Sequence, residues 1–98
     1  MSIQIMSQVW QNGPREPQNL LVLLALADMA DDHGFCTPSL HLIAAKSRCN
    51  VKTLRHVLGL LRSAGFVEIG TREGDLEVNK YRVRIKALNS AKGLEVQS

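Results

Sequence analysis

Lys52, Arg55, His56, Gly59 and Arg62 recur at i, i+3, i+4, i+7 and i+10, the spacing of one face of an α-helix. Val51, Leu54, Val57, Leu58 and Leu61 fall on the opposite face. The segment therefore reads as a helix over about 51–64 that buries one stripe and offers ammonium, guanidinium and imidazole donors on the other. The surrounding charge has the same sign. Residues 35–64 carry Lys46, Arg48, Lys52, Arg55 and Arg62 with no acid, a net of +5, against −3 for residues 1–34 and +1 for residues 65–98. Natural solvated faces usually mix signs, so an acid-free run of this length points to a polyanionic partner. Gly59 lies inside the cationic stripe, where a mid-helix glycine costs about 1 kcal/mol relative to alanine. It fits either a close approach to that face, as by a phosphate backbone, or simple drift.

Other chemistries find little support. The two cysteines, Cys36 and Cys49, form no C-x-x-C, and His33, His41 and His56 have no metal-ligand spacing with them. His33, beside Gly34, reads as a helix-end residue. No nucleophile–base–orienter set, catalytic carboxylate pair or phosphate-cradling glycine loop stands out. The expectation is a protein that is not an enzyme, with no catalytic residue, metal or cofactor. A length of 98 residues with 45% hydrophobic content suits one domain with one modest core. Only 4% is aromatic, so aliphatic side chains must fill that core. The longest apolar run, Leu20 to Ala27, is eight residues, where a membrane span needs about 20. With no secretory pattern at the start, a reduced cytoplasmic protein without a membrane partner is expected.

The elements that would position the cationic stripe follow from punctuation and periodicity. Ile3, Met6, Val9 and Trp10 suggest a short amphipathic helix, making residues 1–12 an N-terminal extension. Gly13, Pro14 and Pro17 break it. A second helix starts near Pro17 and ends near His33, with Gly34 as a left-handed cap. Its middle is apolar all round, the mark of a central, buried helix. Asp28, Asp31 and Asp32 sit where the helix dipole disfavours them, which a basic neighbour in space would offset. Phe35-Cys36 suits a short strand. Thr37 as N-cap and Pro38 at the first position open a helix over 38–47 that turns Leu40, Ile43 and Ala44 inward. After the four-residue turn Ser47-Arg48-Cys49-Asn50, Asn50 caps the cationic helix and Gly65 closes it. Phe66–Ile69 and Tyr81–Ile85 read as strands, with Val67, Ile69, Tyr81, Val83 and Ile85 inward and Lys80, Arg82, Arg84 and Lys86 outward. Thr71 to Asn79 would form the hairpin tip. The domain is expected over 1–86, with a flexible tail at 87–98. Leu24, Ile43, Leu54, Leu58, Leu61, Val67 and Tyr81 should share its core.

Helix, short strand, helix, tight turn, helix and hairpin is a helix-turn-helix with a β wing, an α+β fold of three to four helices and a two- to three-stranded wing. From Leu20 to Ile85 the chain resembles the winged helix-turn-helix domains of phage and plasmid replication proteins, including the phage replication protein O type, and of related phage regulators. The residues carrying the resemblance are Leu23-Leu24-Ala25-Leu26-Ala27-Asp28, Thr37-Pro38-Ser39-Leu40, Ile43-Ala44, Lys52-Thr53-Leu54-Arg55, Leu61-Arg62-Ser63-Ala64-Gly65-Phe66-Val67-Glu68 and Asn79-Lys80-Tyr81-Arg82-Val83. Two departures stand out. Arg48 occupies a turn position where the family usually has glycine, at a cost of roughly 1 kcal/mol if the backbone there is left-handed. Glu73, Asp75 and Glu77 make the wing tip acidic, which opposes insertion among phosphates.

The resemblance implies binding of double-stranded DNA, in replication initiation or transcriptional regulation of a phage, plasmid or other mobile element. The N-terminal part of a recognition helix reaches base edges in the major groove, which nominates Lys52, Thr53, Arg55 and His56. Ser39, Arg48, Arg62, Arg72, Lys80, Arg82 and Arg84 are the nominees for the sugar-phosphate backbone. Arg82 and Arg84 equally suit the plainer role of blunting a strand edge. The alternative is a protein–protein interaction module of a replication assembly, with replication proteins as partners. The N-terminal segment would either pair two copies into a homodimer on DNA or pack on its own chain as a lid.

Overall fold

The computed structural model describes residues 3–71 and 79–84. The nominee Arg72, the acidic tip at Glu73, Asp75 and Glu77, the inward Ile85, the outward Lys86 and the tail 87–98 lie outside the described residues. The elements run α1 (Ile3–Asn12), α2 (Pro17–Met29), β1 (Phe35–Cys36), α3 (Leu40–Lys46), α4 (Val51–Ser63), β2 (Val67–Thr71) and β3 (Asn79–Val83). The strands form one antiparallel sheet in the order β1-β3-β2. Four helices with this sheet make an α+β winged helix-turn-helix.

Helix α2 is the hub, packed against α1, α3, α4 and β3. This is why Val22 through Ala27 are buried without interruption and why the helix carries no polar stripe. It ends at Met29, four residues before the predicted end at His33. Ala30 leaves the helix with extended dihedrals, and the Asp31 carboxylate accepts the backbone N–H groups of His33 and Phe35 at 2.8 and 3.0 Å. Asp31 is thus a turn residue, held ionised by those two donors: the Phe35 N–H, then that of His33, draws its pKa below the ordinary carboxylate value. His33 caps no helix; its carbonyl accepts from Arg82 Nε at 3.3 Å. Gly34 is left-handed as expected, with φ +89°, and a Cβ there would lie 2.6 Å from the Val83 carbonyl oxygen. It serves the entry into β1 rather than the end of α2.

The opening of α3 also differs from expectation. Ser39, not Thr37, is the N-cap, its hydroxyl accepting from the Leu42 N–H at 3.1 Å. The helix therefore starts at Leu40, beyond Pro38. Asn50 caps α4 as predicted, its side-chain oxygen accepting from the Thr53 N–H at 2.7 Å.

All seven predicted core residues are buried in one cluster. On the sheet, Val67 pairs with Val83 and Ile69 with Tyr81; Tyr81, Val83 and Val67 are buried, while Ile69 is half-buried. Phe66 precedes β2 instead of opening it, because its N–H is held by the end of α4. Helix α1 turns Ile5 and Val9 inward against α2 and leaves Ile3 and Trp10 exposed at 78% and 64%. The expected apolar set at Ile3, Met6, Val9 and Trp10 is therefore split between two faces. Among the described residues no helix is long and apolar enough to cross a membrane.

Candidate nucleic-acid interface

Helices α3 and α4 are joined by Ser47 to Asn50, and the geometry of that joint sets how α4 is presented. Arg48 has φ 59°, a left-handed conformation. Its N–H bonds the Ala45 carbonyl, and the Cys49 N–H bonds that of Ala44, at 3.3 and 3.0 Å. This is a Schellman end. The end of α4 repeats it, with Gly65 at φ +86°, its N–H on the Arg62 carbonyl and the Phe66 N–H on that of Leu61. One arrangement thus carries an arginine at α3 and a glycine at α4.

One contact ties the joint back to α3 and two fasten it to α2. Ser47 is fully buried, and its hydroxyl donates to the Ile43 carbonyl at 2.7 Å. Gln18 on α2 donates to the Ser47 carbonyl at 3.3 Å. Lys46 Nζ meets Asp28 Oδ2 at 2.7 Å, which supplies the basic neighbour that Asp28 lacked in the sequence. Lys46 is thereby withdrawn from the free charge of the 35–64 run. Gln18 and Ser47 are positioning residues that sequence reasoning missed; a glutamine in a first helical turn and a serine in a turn carry no signal of their long-range pairing.

The outer face of α4 is arranged as its periodicity predicts. Lys52, Arg55, His56, Gly59 and Arg62 are all exposed, while Leu54, Val57, Leu58 and Leu61 are buried. None of the four cationic or imidazole side chains has an ion pair or side-chain hydrogen bond among the described residues. Thr53 is half-buried at the first turn, and Arg48 is exposed at the joint. Ser39 is exposed with its hydroxyl proton still available to donate.

The sheet bases are placed differently. Lys80 Nζ and the Arg82 guanidinium lie 4.7 and 4.8 Å from the Phe35 ring centroid, a cation–π arrangement. Arg84 pairs with Glu68. Arg84 also lines, with Arg62, Gly65 and Glu68, an open cleft of about 520 Å³ between the end of α4 and the sheet. Arg62 and Arg84 are therefore the pair through which the helix face continues onto the wing.

No group of three or more potential metal ligands occurs among the described residues. Burial, with a smaller contribution from the Asp31 charge, pushes the Cys36 thiol up to about 11, so it stays protonated and packed against the Leu26 carbonyl.

The comparisons with known proteins agree with this architecture. A helix-turn-helix domain family model matches residues 16–67, just over half of the chain. The protein belongs to that helix-turn-helix family. Among solved structures, a crystal structure of a MarR family transcription regulator superposes with a TM-score of 0.54 at 13% identity, covering 96% of this chain. The chain spans 62% of that regulator's length. No curated protein matches in sequence.

Proposed function

We propose that this domain binds double-stranded DNA by laying α4 in the major groove. The observation that carries the reading is the stripe of Lys52, Arg55, His56 and Arg62, unpartnered among the described residues, on a helix whose other face is locked into the core. Lys52, Thr53, Arg55 and His56 meet base edges, with the Arg55 guanidinium suited to the O6 and N7 acceptors of guanine. Ser39, Arg48, Arg62, Lys80, Arg82 and Arg84 hold the sugar-phosphate backbone on either side. The likeness to a transcription regulator supports a regulatory use, by occupancy of a promoter. The sequence resemblance to phage and plasmid replication domains supports initiation at a replication origin as the second use. In either role two copies serve a two-fold site, because one domain presents a single reading helix. The ten residues of α1 carry no charge, so its exposed Ile3 and Trp10 can face their own copy without repulsion.

The test is selection from a pool of random duplexes, followed by affinity measurement on the enriched sequence. Arg55→Ala is expected to cost about 1–3 kcal/mol there and to relax the preference at one base pair, whereas Lys80→Ala weakens all sequences alike. The complex should sediment with two chains per duplex. A pool that shows no enrichment, or an Arg55→Ala variant unchanged in affinity and preference, would overturn the assignment of α4.

A further inference from the structure

Gly59 has no internal reason to be glycine. It lies in the middle of α4, its φ is not positive, and a Cβ built on it meets nothing within 4 Å among the described residues. Other glycines of this chain differ: a Cβ would lie 2.5 Å from the Val9 carbonyl oxygen at Gly13 and 2.6 Å from that of Val83 at Gly34. Those two are required by their own fold. Gly59 instead occupies the helix-interior position for which glycine is the least suited residue after proline.

Its surroundings are specific. One turn to either side on α4 stand Arg55, His56, Arg62 and Ser63, all exposed. The missing side chain therefore opens a notch in the cationic stripe, walled by two guanidinium groups, an imidazole and a hydroxyl. The dimensions of a duplex say what such a notch meets. Thirteen residues at about 1.5 Å each make α4 roughly 20 Å long, while the major groove is about 12 Å wide. With the first turns at the base edges, the helix outruns the groove and must pass a sugar-phosphate wall along its second half. Gly59 lies four residues, about 6 Å, beyond Arg55.

Resting on the DNA reading above, we propose that Gly59 is the point where a backbone phosphate of the bound duplex passes against the helix. The bare Cα lets the phosphate approach, and Arg62 and Ser63, one turn further along and exposed, donate to it while Arg55 and His56 stay on the base edges. Gly59 is thus a positioning residue that sets how deeply α4 sits in the groove. The contact carries no sequence information, because every nucleotide has the same phosphate.

Gly59→Ala and Gly59→Leu separate this role from a structural one. Both side chains enter open space in the free protein and improve helix propensity, so both variants should melt about 4–8 °C higher. Both should nonetheless bind random-sequence duplex more weakly, Gly59→Ala by a few fold and Gly59→Leu by roughly tenfold or more, with the same loss on every sequence, since the phosphate they crowd is common to all of them. Gly59→Ala keeps the test open should leucine disturb folding. A wild-type chain that retains no duplex at low salt overturns the DNA reading and this proposal with it. A wild-type chain that binds, alongside raised melting temperatures and undiminished affinity in both variants, overturns this proposal alone.

Discussion

Helix α4 and the three-stranded sheet follow the same rule, apolar side chains inward and basic ones outward, yet they hold their bases in different states. On α4, Lys52, Arg55, His56 and Arg62 stand in solvent without partners among the described residues. On the sheet, Lys80 and Arg82 rest on the Phe35 ring, Arg82 also bonds the His33 carbonyl, and Arg84 is paired with Glu68. Counting positive charges treats the two regions alike. What separates them is availability: a base that is already engaged must give up its contacts before it neutralises a phosphate, and a free one need not. On the proposed reading the sheet bases stabilise the wing first and would contact DNA second, while the α4 bases contribute little to folding.

The largest effect expected from this contrast lies on α4 itself. Leu54 is fully buried, and Leu54→Ala should destabilise the domain by about 2–5 kcal/mol. Its neighbour in sequence, Arg55→Ala, should stay within about 0.5 kcal/mol. Urea unfolding followed by circular dichroism reads both values. A large loss of stability in Arg55→Ala would mean that the outer face is part of the fold and not a surface kept for a partner.

A smaller effect compares the ends of α3 and α4. Both close with the same pair of backbone hydrogen bonds, but Arg48 adopts at φ 59° what Gly65 adopts at φ +86°. A side chain in that conformation costs about 1 kcal/mol. Arg48→Gly should therefore stabilise the domain by about that amount, and Gly65→Ala should destabilise it similarly, in the same unfolding assay. Arg48→Gly should at the same time weaken duplex binding, since the strained residue stands at the helix-turn-helix joint with its charge exposed. An Arg48→Gly variant of lower stability would show that the arginine side chain holds the turn.

Much of this was legible in the sequence, for identifiable reasons. The two stripes of α4 were plain because periodicity reports a helix that is buried on one side and bare on the other. The core residues followed from the same patterns, and β1 was readable from Phe35-Cys36. The register of Val67 with Val83 and Ile69 with Tyr81 matched the alternation of each strand. The errors fall where a local side-chain hydrogen bond outweighed propensity. Asp31 captured two N–H groups and stopped α2 early, and Ser39 took the capping role that Thr37-Pro38 advertised. The buried side of α1 was misplaced because its apolar arc is broader than the surface it covers: Ile5 and Val9 at one edge are buried, Ile3 and Trp10 at the other are exposed. The state of each base was not legible at all. Lys46 with Asp28, Arg84 with Glu68 and Arg82 with Phe35 are pairings of residues far apart in the chain, which only the fold brings together.

The central claim, that the free bases around α4 hold duplex DNA while the sheet bases are largely engaged, is tested most directly by the salt dependence of binding. About five phosphate contacts give a slope near −4.5 for log K against log salt. Removing two free bases with Arg48→Ala/Arg62→Ala should reduce its magnitude by about 1.8, to near −2.7. Arg82→Ala/Arg84→Ala should change it by less, and its cost should appear in unfolding instead. An unchanged slope in the Arg48→Ala/Arg62→Ala protein, or a larger change in the sheet variant than in it, would contradict the account.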